Sequence, residues 1–446
     1  MRSLLLAATL ALVSPVHAIG FADGIKIGEV TSDSAVLWVR LTEAPKAANR
    51  VDEWTAEAPN WVVPGQAGQV RFTYRSGCQE NAEHTAWAGV TADNDFCHQA
   101  RIDNLKPGTF YEISAEGRVE GATRNSHATI TGSFTTAPAA DHSQALTATI
   151  STCQEFETRD DADDGHRIYR SMAKLDPAFF IQTGDTVYYD RKEPLAKNMK
   201  LARYRWNRMY ALPSLRDFHR HVPSYWMHDD HDVLKNDAWP GQTYGELTWE
   251  QGLKIWGEQV PWSDPPYRTF RWGKDLQIWL PEGREFRSPN NMPDGPEKTI
   301  LGESQWKWLE ETLKGSDATF KAYVSATPVV GPDRGGKNDN HANRTYDHEG
   351  DRLRKLLSSI PGCFVVNGDR HWQYHSVDPD TGLEEFGCGA STDKHAGGWN
   401  PKDKLPEHRF LRVKGGFLSM KVGGAEALVR HHDVDGKVVY ETTLKR

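Results

Sequence analysis

Four apolar runs in this chain each end in ionisable side chains, and that recurrence restricts the fold more than any other feature. Leu146-Thr147-Ala148-Thr149-Ile150 leads into Ser151-Thr152-Cys153. Ala178-Phe179-Phe180-Ile181 leads to Gly184-Asp185, with Tyr188 three residues on. Pro223-Ser224-Tyr225-Trp226-Met227 leads to Asp229-Asp230-His231-Asp232, and Phe364-Val365-Val366 leads to Asn367-Gly368-Asp369-Arg370-His371. Helical patterns lie between these runs. Leu353, Leu356, Leu357 and Ile360 follow i, i+3, i+4, i+7 spacing and stop at Pro361. Leu301, Trp308 and Leu309 form a similar face that ends near Gly315. Strands alternating with helices predict an α/β layered domain, and such domains place their sites at strand C-termini.

The first part of the chain has a different rhythm. Ser34-Ala35-Val36-Leu37-Trp38-Val39-Arg40 partly alternates and Val70-Arg71-Phe72-Thr73-Tyr74-Arg75 does so strictly, with Gly and Pro punctuating. Pro107-Gly108 followed by Tyr111 has the form of a tyrosine corner, as in immunoglobulin-like and fibronectin type III-like sandwiches. A linker at Ala137-Pro138-Ala139-Ala140-Asp141-His142 divides the chain into an N-terminal β-sandwich over 19–137 and an α/β domain over 145–446. The tail from about 417 returns to strands, with an Asp435-Gly436 hairpin turn.

Residues 1–18, MRSLLLAATLALVSPVHA, carry one Arg, an apolar run and a small-x-Ala ending, the pattern of a cleaved signal peptide. No other run approaches the length of a membrane span. A secreted or periplasmic protein without a stable membrane anchor is expected. The 446 residues carry a formal net charge of -8, which argues against specific nucleic-acid binding. Export permits disulfides. Cys78 lies near Cys97 and Cys363 near Cys388, so two local bridges would use four of the five cysteines and leave Cys153 alone. Four paired cysteines allow three connectivities, and sequence alone does not choose among them.

Taken singly, an Asp after a strand is a turn former or helix cap, and a Cys there is buried filler. Together, carboxylates, a thiolate and imidazoles at neighbouring strand ends would repel one another unless a cation neutralised them. One metal, or two sharing a bridging carboxylate, is the simplest solution. Ten of the sixteen tryptophans lie between Trp206 and Trp308, as an aromatic core or as a pocket wall for an organic group.

The ordered set of strand-Cys, strand-Gly-Asp-x-x-Tyr, strand-Asp-Asp-His-Asp and strand-Gly-Asp-x-His resembles the calcineurin-like metallophosphoesterases, and within them the PhoD-type alkaline phosphatase family. Asn236-Asp237, Leu301-Gly302 through Gln305 to Trp308-Leu309, and Glu282-Gly283-Arg284 with Arg287 match further family segments. The resemblance covers nearly all of the chain after residue 18. It implies a four-layer αββα metallophosphoesterase sandwich behind the N-terminal sandwich, and a phosphatase or phosphodiesterase acting on small phosphate mono- or diesters.

By that resemblance Cys153, Asp185 and Tyr188 bind iron(III). Asp185 bridges to a second ion, calcium in the family, and Asp230, Asp369 and His371 match other ligand positions. Other divalent metals suit the same donors. His231 contacts the phosphoryl oxygen or protonates the leaving group, and Arg284 and Arg287 are candidates for gripping phosphate. Asp229, Asn236, Glu282 and His375 are candidates for the surrounding shell or substrate contact, and His341, His348 and His395 for pocket walls.

The chain departs from the family in three places. Only Arg2 precedes the apolar run, where a twin-Arg signal is common, so general secretion is expected. Glu282 stands in place of Asp, and Tyr189 rivals Tyr188. A phospholipase D-type diesterase and an exported binding protein with an inactive domain are the other readings, and neither the oligomeric state nor the natural substrate follows from these residues.

Overall fold

The computed structural model describes residues 19–47, 62–77, 81–119 and 127–446. The leader expected at 1–18, with Arg2, and Cys78 lie outside the described residues. No described helix is long and apolar enough to cross a membrane.

Two mixed sheets face each other across one core. The larger runs in the order Val438–Lys445, Glu426–His432, Phe417–Gly423, Leu146–Ser151, Phe179–Thr183, Ser224–Met227, Ile25–Gly28, Ala35–Arg40, Cys97–Ile102. The smaller runs Arg268–Trp272, Leu276–Leu280, Phe320–Ser325, Cys363–Asn367, Glu384–Cys388, Gln373–Val377, His408–Arg412.

The strand sequences explain this stacking. Side chains alternate faces along a strand. Phe179, Ile181, Tyr225 and Met227 enter the core shared by the two sheets, whereas Phe180 and Trp226 pack on the outer face. In the smaller sheet Ile278, Val324 and Val366 point inward and Trp279, Tyr323 and Val365 point outward. Strands covered on both faces must be apolar on both, and so they read as continuous hydrophobic runs. The helices Arg167–Ala173, Met199–Tyr210, Pro213–His219 and Trp249–Gln259 cover the larger sheet. Gly302–Gly315 and Asp347–Ser359 cover the smaller one. Trp206, Trp226, Trp249 and Trp256 sit in one outer core and Trp279 and Trp306 in the other, so this part of the tryptophan cluster is packing.

Three strands of the N-terminal segment extend the larger sheet. Ile25–Gly28 joins Ser224–Met227 through Gly28↔Ser224, and Ala35–Arg40 carries the pairing on to Cys97–Ile102. The remaining strands of that segment, with Gly68–Ser76, Phe110–Arg118 and His127–Thr135 at their centre, form a separate antiparallel sheet. The Lys106 N–H donates to the Tyr111 hydroxyl at 2.9 Å, the bond of a tyrosine corner.

The expected Cys363–Cys388 bridge is absent. Both are free, buried thiols, as is Cys97. Cys363 opens Cys363–Asn367 and Cys388 closes Glu384–Cys388, and the two strands pair in parallel with Val365 opposite Glu385. Parallel pairing sets the two cysteines at opposite strand ends, on the order of 15 Å apart at ~3.3 Å per residue, far beyond the reach of a disulfide.

One buried cation tests the junction between the N-terminal strands and the helices. Lys26 Nζ donates to the Gln259 carbonyl at 2.5 Å and lies 3.6 and 3.5 Å from the ring centroids of Trp38 and Tyr210. Burial lowers its pKa from 10.5 to about 7, against the opposing charge of Asp23. Between those values the unfolded chain binds more protons than the folded one, so this lysine makes stability rise with pH. The slope reaches at most ~1.4 kcal/mol per pH unit. Lys26→Met should flatten that rise, measured by urea unfolding of both proteins near neutrality and near the top of the window. Equal pH dependence in the two would contradict the assignment.

Candidate metal centre

All four apolar runs end at one place. Cys153 follows Leu146–Ser151, Asp185 follows Phe179–Thr183 and Asp229-Asp230-His231 follow Ser224–Met227, all in the larger sheet. Asp369 and His371 follow Cys363–Asn367 in the smaller sheet. The site therefore straddles the two sheets. Thr152 ties them together, bridging in parallel to Ala390, donating to the Gly184 carbonyl (3.2 Å) and accepting the Asp369 N–H (3.3 Å).

The backbone is bent to achieve this convergence. Cys153, Asp185 and Asp369 have φ of 50, 55 and 59°, in the left-handed region that few residues besides Gly, Asn and Asp adopt, so Cys153 is the most unusual of the three. Such outliers cost of order 1–3 kcal/mol each and cluster at functional sites. Two glycines leave room for the turns. A Cβ on Gly184 (φ +95°) would lie 2.6 Å from Asp229 Cβ, and one on Gly368 would lie 2.5 Å from Thr183 Oγ1.

Asp185 is the hub. The Cys153 thiol lies 3.3 Å and the Tyr188 hydroxyl 3.0 Å from its Oδ2, each as donor. Its Oδ1 is buried without a hydrogen-bond partner, as is Asp229 Oδ2. Ligand atoms of Cys153, Asp185 and His371 lie within 4.8 Å of one another, as do those of Asp185, Asp230 and His231, and those of Asp185, Asp229 and Asp369. Burial pushes the Cys153 thiol and the Tyr188 phenol well above their usual ranges, with Asp185 adding to both. Burial likewise raises Asp185. Orphaned carboxylate oxygens beside a thiol and a phenol, all held from ionising by their surroundings, fit a cation, which reverses that balance and deprotonates coordinating thiols.

Asp232 braces the turns without facing them as a donor. Its carboxylate accepts the backbone N–H groups of Asp185 (2.7 Å), Val187 (3.0 Å) and Asp229 (2.9 Å). His231 Nδ1 lies 2.6 Å from Asp190 Oδ1, and Asp190 Oδ2 accepts the Asn236 N–H at 2.8 Å. Burial lowers the His231 pKa, but Asp230, Asp185 and Asp190 outweigh it and push the group up to about 10.

Several sequence-level candidates sit elsewhere. Arg284 and Arg287 lie behind the carboxylates, off the cleft wall. Arg284 is fully buried, bonds Asp229 through Nε and pairs with Asp339 (3.3 Å) and Asp230 (3.8 Å) through Nη2. Arg287 donates to the Gly283 carbonyl and to Asn290 Oδ1. Glu282 caps its own turn, accepting the Arg284 N–H at 2.8 Å, and pairs with His228 at 3.3 Å. His375 stands on Gln373–Val377, which runs away from the site, and bonds Glu384 and Tyr440 at 2.9 Å each. His341 pairs with buried Glu349 and His348 lies on the outer helix. Tyr189 enters the helix-side core and accepts from Trp206 Nε1 at 2.7 Å, leaving Tyr188 to face Asp185.

The cluster opens into a cleft of about 790 Å³ lined by Asp185, His231, Asn236, Asp369 and His371 together with residues the sequence did not single out, among them Asp190, Arg191 and Lys337. His395, read from sequence only as a wall residue, sits with its ring 4.1 Å from that of His371 and accepts from Arg191 Nη1 at 3.1 Å. Burial, with Arg191 and His231, lowers His395 to about 3, so it stays neutral.

Residues 148–401 match the family model described as PhoD-like phosphatase. Alkaline phosphatase D of Bacillus subtilis (strain 168) is 23% identical over 409 residues, which cover 80% of this chain and 65% of that protein. The chain thus matches just under two thirds of the length of that relative. A solved structure titled as that of PhoD aligns with a TM-score of 0.75 at 18% identity, over 97% of this chain and 90% of that one. The structure of a purple acid phosphatase from yellow lupin (Lupinus luteus) seeds aligns with a TM-score of 0.68 at 12% identity, over 95% of this chain and 74% of the other.

Proposed function

The chain belongs to the PhoD-like phosphatase family, and from that premise we propose that it is an exported, metal-dependent phosphoric ester hydrolase whose active centre is the cluster around Asp185. The observation that carries this reading is Asp185 itself, which meets the Cys153 thiol and the Tyr188 hydroxyl on one oxygen and keeps the other buried without a partner.

Cys153, Asp185 and Tyr188 would hold one ion, and a thiolate and a phenolate, both anionic once bound, suit a trivalent ion such as iron(III). Asp185 with Asp230 and Asp369 would hold a second, oxygen-seeking ion such as calcium. His371 borders the first of these positions, its ligand atom lying within 4.8 Å of those of Cys153 and Asp185. When bound, such ions would supply neutralisation of phosphoryl charge and a lowered pKa for an attacking oxygen.

The protein's own groups do the rest. His231, held by Asp190 in one orientation, carries a proton toward the cleft, where an ester's leaving oxygen needs one. Asp232 and Thr152 fix the turns that aim the donors, which limits reorganisation as charge develops. Arg284 offsets burial at both neighbouring carboxylates: it holds Asp230 below the usual carboxylate range, while at Asp229 burial still outweighs it and raises the group.

The test is elemental analysis of the purified protein with assays on mono- and bis-aryl phosphates. Chelation should lower the rate by at least about a hundredfold and metal return should restore it, in keeping with the loss of a term of several kcal/mol. Full activity in metal-free protein would overturn the reading.

A further inference from the structure

The charges lining the cleft are sorted by depth. Its carboxylates are turned inward or engaged: Asp185 is buried, buried Glu155 lies 3.8 Å from Arg191, Asp369 pairs with Arg370, Asp190 holds His231, and Asp237 holds Lys337. The charged side chains at the mouth are cationic: Arg191, Lys192 and Lys394 are exposed, and Arg334 is half-buried. This grouping stands out on a chain whose formal net charge is -8.

The mouth is also built rather than incidental. Buried Arg205 donates through Nη2 to the backbone carbonyls of Arg191 (3.0 Å), Lys192 and Pro194 (2.7 Å), which fixes the turn that presents Arg191 and Lys192. Lys192 sits in that turn at φ 58° and makes no ion pair with a carboxylate among the described residues. Arg191 reaches inward to His395 and over the Tyr188 ring, 5.5 Å from its centroid. Across the cleft Arg334 lies over the Trp372 ring at 5.5 Å, its Nε 3.7 Å from the buried carboxylate of Asp333, and Lys394 is steadied by the Arg159 carbonyl at 3.0 Å.

The ions proposed for the centre would already neutralise the phosphoryl group under attack, so cations at the mouth serve a different charge. We propose that Arg191, Lys192, Arg334 and Lys394 form an anion-selecting rim, and that the enzyme prefers phosphate esters whose leaving group carries a second anionic group. The preference rests on the phosphoesterase reading for its meaning but not for its measurement. Clustered like charge around a cleft raises the local concentration of counter-ions and loses force as salt rises.

The probes are two non-hydrolysable ligands, phenylphosphonate and 4-sulfophenylphosphonate, whose sulfonate adds charge without adding a strong metal ligand. Their binding to the metal-loaded protein is measured by calorimetry. The sulfonated ligand should bind about tenfold more tightly at low ionic strength, and its advantage should shrink as salt is added. In the variant Lys192→Gln/Arg334→Gln/Lys394→Gln that advantage should fall to within about twofold. Equal affinities in the unmodified protein, or an advantage untouched by salt and by the triple substitution, would overturn the rim. A protein that binds both phosphonates with the expected preference yet hydrolyses no ester would sink the proposed function while leaving the rim in place.

Discussion

Asp185→Asn should abolish most of the activity, lowering kcat/KM for aryl phosphates on the order of a thousandfold or more. Asn keeps the size of the side chain, and it is among the few residues other than Gly that accept a left-handed backbone such as the 55° φ found here. The fold should therefore survive. The chemistry should not. One carboxylate oxygen accepts from both the Cys153 thiol and the Tyr188 hydroxyl while the other is buried without a partner, and an amide supplies neither the negative charge nor the second acceptor oxygen. Metal content by elemental analysis should drop together with the rate, while the far-UV circular dichroism stays that of the parent. A variant that kept its full metal complement and its rate would show that Asp185 is not the hub.

Arg284→Leu should damage stability more than any other single change at the site. The guanidinium is fully buried among Asp229, Asp230 and Asp339. Removing one member of a buried ion cluster leaves charge uncompensated and costs about 3–5 kcal/mol. For a chain of this size that corresponds to a fall of about 4 °C in Tm. The loss should be larger in metal-stripped protein, because a bound cation takes over part of the compensation for the same carboxylates. Denaturant unfolding of parent and variant, with and without metal, checks both points. A loss below about 0.5 kcal/mol would mean that these carboxylates are neutral in the fold.

Much of this site was legible because each donor follows an apolar run, and apolar runs are what strands buried on both faces require. Cys153, Asp185, Asp230 and Asp369 could be named from that pattern alone. What could not be named depended on direction. Tyr188 and Tyr189 differ by one residue, and only the left-handed turn at Asp185 decides which faces inward. Arg284 has the residue type of a phosphate clamp, yet its side chain points behind the carboxylates. The thiols Cys363 and Cys388 are near in sequence, but the strand Gln373–Val377 is displaced to the outside of Glu384–Cys388, so the two cysteines end on parallel neighbours with opposite ends facing. His375 left the site with that same displaced strand. The continuation of the larger sheet into Ile25–Gly28, Ala35–Arg40 and Cys97–Ile102 is a long-range pairing, for which a linear pattern carries no signal. Asp190, Arg191 and Lys337 sit on loops, where periodicity has nothing to say.

The straddling of two sheets by one donor cluster has a consequence for the life history of the chain. Cys153 and Asp369 are roughly 200 residues apart, and neither can meet the other until both sheets have formed and docked. An ion that needs donors from each sheet can bind tightly only to the finished molecule, so its binding energy is spent on holding the two halves shut. Such an ion acts as a clasp fastened last. On the proposed reading, a newly made chain would stay open to proteases until it is loaded, and the cation that serves the chemistry would also protect the fold.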